Sequence, residues 1–428
     1  MKKEIVSFKK YHDFLESGHF PTLISSFLYF DISFMAWMSL GPLMIYMAKE
    51  LHMPIEDKLT LVAIPAISGA VFRIPLGLCA DWFGPKKTAT FSQIFIIISV
   101  SLVYVFGLNT EGSIALFGVA LGIAGASFAV ALPQVGSWYP PTYQGLVMGI
   151  AGAGNVGVVI DTLFAPWIAE NYGWRSVYGL LNILLLIVLA IYIIIAKDAP
   201  RISRRLSIKE YLNAIYDLDC RWFMFFYSIT AGGFIGLSAS LPLYFTSQFH
   251  LDGISAGLLT ACCVAFGSTF RPVGGYIADK IGGAKALLIF FLIVCVCFFT
   301  VAFLPEQLVN LKVNNQTSII ENINTKYIAV ILFSCGMLCL GMGNGAVFQL
   351  IPQRFSREIG VTTGLVGAAG SLGGFFLTKT LAVSKGYTNS YTYGFLLFCF
   401  FVLLGVIGVF LIRQRWRNTW GANSGANI

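Results

Sequence analysis

Long apolar stretches separated by short polar joints set the rhythm of this chain. A helix needs about 20 apolar residues to cross a hydrocarbon core about 30 Å thick. Runs of that kind recur near 21–48, 58–80, 88–107, 113–138, 142–168, 175–197, 220–248, 253–278, 285–304, 327–353, 360–383 and 390–412. They predict twelve membrane-spanning helices. Residues 1–20, with Lys2, Lys3, Lys9 and Lys10, are too polar for a signal peptide, so an uncleaved first span is expected.

Composition agrees with that reading. Apolar residues make up 57% of the chain and charged residues 11%, with a mean hydropathy of +0.78. A soluble domain carries about 25% charged residues, so the expected class is an all-α integral membrane protein. The net charge of +8 does not point to nucleic acid, because the 28 lysines and arginines collect mainly on one side of the predicted spans. By the positive-inside rule that side is cytoplasmic, and both termini lie on it. The basic segment RISRRLSIKE (201–210) and the tail RQRWR (413–417) then face anionic headgroups. Cys335 and Cys339 share a helical face, yet no histidine or carboxylate completes a metal-ligand set, and buried free cysteine behaves as a small hydrophobe. Neither metal nor cofactor is expected. The four histidines, His12, His19, His52 and His250, fall at or beyond span ends, which leaves no nucleophile–base pair at depth for an enzyme.

The chain repeats itself. GAVFRIPLGLCADWFG (69–84) and GSTFRPVGGYIADKIG (267–282) share Gly69/Gly267, Phe72/Phe270, Arg73/Arg271, Gly77/Gly275, Ala80/Ala278, Asp81/Asp279 and Gly84/Gly282, with Lys87/Lys285 beyond. GASFAVALPQ (125–134) likewise resembles GAVFQLIPQ (345–353). Two halves of six spans, 21–197 and 220–412, are expected, flanked by segments 1–20 and 413–428 and joined by a linker, 198–219. Internal duplication of this kind is the mark of a repeat-built transporter with its site between the halves.

Arg73 and Arg271 lie eight residues before Asp81 and Asp279, about 12 Å into the membrane at 1.5 Å per residue. An arginine at that depth costs at least ~2.5 kcal/mol. One explanation is a buried bridge from each to an in-span carboxylate, for which Asp31 and Asp161 are available. The other is an anion: the arginines occupy equivalent places in both halves and the aspartates do not. A guanidinium offers in-plane donors that suit a planar oxyanion. Glycine stripes run along the fifth span (Gly145, Gly149, Gly152) and the eleventh (Gly364, Gly367, Gly370, Gly374), where they allow close helix approach. Asn155 ends the first stripe, and a buried amide needs a partner, in a neighbouring helix or in a ligand.

The two GxxADxxGxxK pieces resemble the loop after the second span of the major facilitator superfamily. AGAGNVG (151–157), GAAGSLGGFF (367–376) and FDISFMAWMSLGPL (30–43) further resemble the nitrate/nitrite porter family within it, over residues 21 to 412. That resemblance implies a monomeric carrier of nitrate or nitrite working by alternating access. It implies that Arg73 and Arg271 clamp the anion and that Asn155 contacts it. Phe128 and Phe348 would pack above and below the ion, and Tyr227 would donate to it; Gly152 and Gly370 belong to the same site. Gly77, Asp81, Gly275 and Asp279 would act in gating. Ala231, a turn after Tyr227, stands where an aromatic is expected of the family, so the wall there should be looser. Exchange of nitrate for nitrite and proton-coupled uptake both remain open, Asp31 being the candidate proton site. Another small anion such as a monocarboxylate, or a transporter-like sensor, are the alternative functions.

Overall fold

The structure is a computed structural model. It describes all residues except 1–12, 15, 141–142, 144–146, 148–149, 153, 200–213, 305–307, 314–315, 322, 356–358 and 422–427, and describes only the backbone of 308–313, 316–321, 323–324 and 359–360. The basic segment 201–210 and the stripe residues Gly145 and Gly149 therefore lie outside the described residues.

Among the described residues, twelve helices are long and apolar enough to cross a membrane. They are span 1 (Phe20–Leu51), span 2 (Ile55–Phe83), span 3 (Pro85–Phe106), span 4 (Glu111–Gly136), span 5 (Ile150–Tyr172) and span 6 (Trp174–Ile195), then span 7 (Leu218–Phe249), span 8 (Gly253–Ile281), span 9 (Gly283–Ala302), span 10 (Thr325–Arg354), span 11 (Val361–Thr388) and span 12 (Thr392–Asn418). The chain is thus an integral, multi-pass membrane protein. An even number of crossings puts both termini at one end of the bundle, here the terminal end; the opposite one is the far end.

The repeated residues end helices. Gly84 and Gly282 stop spans 2 and 8 with φ of 93° and 96°, a conformation costly for any residue with a Cβ. Their N–H groups return to Ala80 and Ala278, at 3.0 and 2.9 Å. The same 198-residue offset relates His52 and His250, which close spans 1 and 7 in the left-handed region at φ 51°. Span 1 bends at Ser39, whose hydroxyl and N–H both turn to Ala36 O; Pro42, lacking an N–H, removes the bond that would hold the helix straight there.

Spans 2 and 4, 3 and 6, and 1 and 6 pack together in the first half of the chain; spans 8 and 10, 9 and 10, and 9 and 12 do so in the second. Spans 3, 6, 9 and 12 carry large exposed apolar side chains, among them Phe91, Ile194, Val296 and Phe410, as lipid-facing helices must. Contact between the halves runs through spans 2 and 11, 5 and 8, and 1 and 7. Toward the far end it is close. Gly41 lies against the Ala239 carbonyl, Gly257 against the Thr162 carbonyl and Pro166, and Lys379 Nζ donates to Thr60 Oγ1 at 2.9 Å.

Two features depart from the sequence reading. The joint between spans 9 and 10 holds a hairpin, β1 (Leu308–Val313) antiparallel to β2 (Gln316–Glu321), within an otherwise helical chain. Span 12 continues to Asn418, past the expected end at 412, because its last turn is tied down. Trp416 is fully buried, donates to Asp219 Oδ1 at 2.8 Å and lies on Phe223 with ring centroids 4.8 Å apart. Asp219 also accepts from Arg354 at 2.8 Å, and Asp217 does so at 3.1 Å. The charges of RQRWR hide this tie.

Candidate functional site

Arg73 is 4% exposed and sits on span 2 facing the interface between the halves. Its Nε and Nη2 donate to the Gly125 carbonyl at 3.2 and 3.1 Å. That carbonyl is free because span 4 breaks at Ala126–Ser127: the Ala129 N–H bonds to Ala126 O at 3.0 Å rather than to Gly125 at helical spacing. Arg73 Nη1 reaches across to the Gly367 carbonyl of span 11.

Arg271 is its counterpart, 7% exposed. Pro272 has no N–H to return to the Ser268 carbonyl and its ring crowds that carbonyl, and span 8 breaks at Phe270, with Arg271 opening the next helix. Its Nη1 donates to Gly152 O on span 5 at 3.0 Å, again across the interface. Its Nε and Nη2 make no hydrogen bond among the described residues. The two guanidinium groups lie within electrostatic reach of each other.

Neither arginine is paired with a carboxylate among the described residues, so the bridging explanation is not what the structure contains. Asp31 instead accepts from the Gly157 N–H at 2.8 Å. Span 5 is interrupted at Gly154–Asn155 and resumes at Val156, and Asp31 of span 1 places a negative charge at the exposed N–H groups of that new helix start. Asp161 is 1% exposed, and both its oxygens lack a hydrogen-bond partner among the described residues.

The aromatic residues form a continuous row beside the arginines. Ring centroids run from Phe30 to Phe128 at 5.5 Å, Phe128 to Phe348 at 5.8 Å, and Phe348 to Tyr227 at 5.1 Å. Each guanidinium carbon stands 5.3 Å from a ring centroid, Arg73 over Phe128 and Arg271 over Phe348, within the range of a cation–π contact. The two phenylalanines expected to bracket a planar ion touch edge to face at 74° in this structure and together make a floor.

Above that floor lies a narrow cavity. Arg73, Arg271, Asn155, Tyr227 and Phe128 all line it, with Phe30, Phe34, Ala231, Phe234, Ile235 and Asn344. Asn155 and Asn344 are 5% and 2% exposed, and neither Oδ1 has a partner. Asn344 was missed from sequence, although an in-span amide one turn before Phe348 is the same signal that marked Asn155. Tyr227 is near Arg73, and its hydroxyl makes no hydrogen bond among the described residues.

Gly370 does not meet an arginine. A Cβ there would stand 2.8 Å from the Tyr227 ring and 3.0 Å from Ala231 Cβ, so Gly370 lets span 11 close on span 7. The expected loose wall at Ala231 is filled this way by backbone. Of the proposed gating residues, Gly77 is buried in span 2, and Gly275 lies at a close crossing of spans 8 and 10, where a Cβ on Gly345 would stand 2.6 Å from its nitrogen. Gly274 belongs to the same crossing, against Met342. Asp81 makes no hydrogen bond or ion pair among the described residues, and Asp279 is exposed at the end of span 8. All nine cysteines are free, and no cluster able to hold a metal occurs among the described residues.

The Major Facilitator Superfamily profile matches residues 26–378. A nitrite extrusion protein of Bacillus subtilis is 31% identical over 85% of this chain and 87% of its own length. A probable nitrate transporter, NarT, of Staphylococcus carnosus is 30% identical over 90% of this chain and 94% of its own. The crystal structure of a bacterial homologue of the human lysosomal transporter Spinster superimposes with a TM-score of 0.68 over 92% of this chain and 96% of that one; at 14% identity it speaks to fold alone. Transport, not enzymatic catalysis, is the business of such proteins. The chain belongs to the nitrate/nitrite porter family of the major facilitator superfamily.

Proposed function

We propose that this protein carries nitrate or nitrite through the membrane as a monomer by alternating access, with the terminal end and both termini in the cytoplasm. One observation carries the reading: two buried guanidinium groups, one from each half, face a shared cavity with no carboxylate partner among the described residues. Nine uncharged residues complete the lining around them. Asn155, Asn344 and Tyr227 supply donors, and Phe128 supplies a π-face on which one guanidinium rests. The names of the relatives supply the anion.

The mechanism follows from charge. Two guanidinium groups ~8 Å apart at an effective dielectric of ~20 repel by ~2 kcal/mol. A monoanion between them removes much of that penalty, so the loaded site closes more readily than the empty one. Arg73 and Arg271 hold one another's halves through Gly367 and Gly152. An oxyanion competes for those same N–H groups, and binding therefore acts directly on the contacts that join the halves. Phe128 and Phe348 bar the route to the terminal end, and the close packing of spans 1, 2 and 5 on 7, 11 and 8 bars the far end.

The test is counterflow in proteoliposomes holding the purified protein. Vesicles loaded with nitrite should take up labelled nitrate faster than vesicles loaded with chloride. Failure to transport either ion, with uptake of a small monocarboxylate instead, would assign the site to another anion.

A further inference from the structure

Asp161 is used by no contact described so far. It lies in the middle of span 5, 1% exposed, with neither carboxylate oxygen hydrogen-bonded. Other carboxylates are engaged: Asp31 by Gly157, Glu50 by Trp174, Asp198 by Lys86, Asp217 and Asp219 by Arg354, Asp252 by Ser255. An ionised, unpartnered carboxylate is the costliest of buried groups, and inside a membrane such a residue is a functional site by default.

Its surroundings are arranged as a small polar cluster. Tyr178 of span 6 is fully buried and lies within electrostatic reach of Asp161 and beside Ser39, at the bend of span 1; its hydroxyl makes no hydrogen bond of normal geometry. The remaining ionisable groups on the elements packed against span 5 are occupied or remote. Asp31 of span 1 holds Gly157, and Arg271 of span 8 holds Gly152. Cys263 of span 8 turns to Val330 O. Tyr46, Lys49, Glu50, Arg175 and Asp252 stand toward the far-end rim. No cation pairs with Asp161 among the described residues.

Position supplies the coupling. Thr162, the next residue, gives its carbonyl to the seam where Gly257 of span 8 packs closely, so opening the far end parts the helices beside Asp161 and admits water to it. In the other direction, Gly157 is one turn away, about 6 Å along the helix. There Asp31 adjoins Phe30, which lines the anion cavity.

We propose that Asp161 is the proton-carrying residue of this transporter, taking a proton from water at the open far end and holding it while that end is closed. The proton leaves the carboxyl for water on the terminal side once the anion departs. One proton then accompanies one monoanion, and the transport step is electroneutral. This rests on the reading of the site as an anion carrier.

The experiment compares wild type with Asp161→Asn and Asp161→Glu, each purified at full length. Infrared spectra should show a protonated-carboxyl band in wild type that Asp161→Asn lacks. Empty proteoliposomes with an inward gradient of one pH unit should accumulate labelled nitrate about tenfold through wild type, the ratio set by one proton per anion. Asp161→Asn should not accumulate it, while nitrate still raises its melting temperature as it does for wild type. Asp161→Glu should retain part of the accumulation. The proposal is overturned if the band persists in Asp161→Asn, if that variant accumulates nitrate normally, or if wild type exchanges nitrate for nitrite yet ignores the gradient. Should Asp161→Asn fail to fold, the wild-type gradient response and the Asp161→Glu spectrum decide by themselves. If nitrate neither stabilises wild type nor enters through it, the anion reading fails, and the infrared band still reports on Asp161 alone.

Discussion

Arg73 of span 2 donates its Nη1 hydrogen to the carbonyl of Gly367 in span 11, across the interface between the halves. Arg271 does the same in the opposite sense, to Gly152 of span 5. Each half thus contributes one cation and one backbone acceptor to the closure of the other, and the residues proposed to recognise the anion are also those that join the halves.

That double duty makes the guanidinium shape matter as well as its charge. Arg73→Lys keeps the charge but cannot serve Gly125, Gly367 and an anion together, and Arg271→Lys loses the free Nε and Nη2 donors. Each substitution should lower nitrate uptake at least ~tenfold, the worth of a lost charge-assisted hydrogen bond of ~1.5–3 kcal/mol. Initial uptake rates, with folding checked by gel filtration, measure it.

Asn344 is buried like Asn155, and its Oδ1 likewise has no hydrogen-bond partner among the described residues. Asn344→Ala should raise the KM for nitrate about tenfold or more while changing kcat less, because a ligand contact worth ~1–3 kcal/mol is removed. Asn344→Asp places a negative charge beside the arginine pair and should abolish anion binding, read as loss of the nitrate-induced thermal shift.

The glycines of span 11 should not be equivalent. An alanine at Gly370 meets the Tyr227 ring, whereas one at Gly364 meets nothing within 4 Å. Gly370→Ala should cost ~1–3 kcal/mol through overpacking and weaken nitrate binding by displacing Tyr227. Gly364→Ala should stay within about 0.5 kcal/mol of wild type. Thermal unfolding of the two variants in one detergent separates them.

Asp31 stands at a helix start, and its substitution should read as loss of a cap. Asp31→Ala should destabilise the protein by ~1–2 kcal/mol, while Asp31→Asn, which keeps an acceptor oxygen for Gly157, should be milder and still accumulate nitrate under a proton gradient. Loss of that accumulation in a folded Asp31→Asn would move the proton site from Asp161 to Asp31.

Trp416 ties the end of span 12 to Asp219 far from the cavity. Trp416→Phe keeps most of the packing on Phe223 but withdraws one donor from a buried carboxylate. Stability should fall by ~1–3 kcal/mol with the KM for nitrate unchanged, as a melting curve and an uptake series would show.

Much of this was legible in the sequence. Span-length apolar runs, the 198-residue repeat and the positions of Arg73 and Arg271 all follow from patterns that local chemistry enforces. Asn155 was legible as well, since an amide inside an apolar run is an anomaly whatever surrounds it. Asn344 carried the same signal and went unread, one turn from a phenylalanine already singled out. The hairpin at 308–321 and the helical turn past 412 were hidden because polar residues between spans set no apolar period.

What the sequence alone determined, then, is the class of the protein, its duplicated architecture and the cations at its centre. A run too apolar for water and a charge too costly for lipid each admit few outcomes. Only the tertiary structure decided what those cations touch. Their partners are backbone carbonyls, which every residue possesses and no motif announces. Gly125 became available to Arg73 because span 4 breaks beside it, and Gly367 rather than Gly370 meets Arg73 because of how two helices cross. Asp31 and Asp161 look alike in sequence, yet one faces the N–H groups of an interrupted helix and the other makes no hydrogen bond or ion pair among the described residues. That difference is one of geometry, set when span 5 packs between spans 1, 6 and 8.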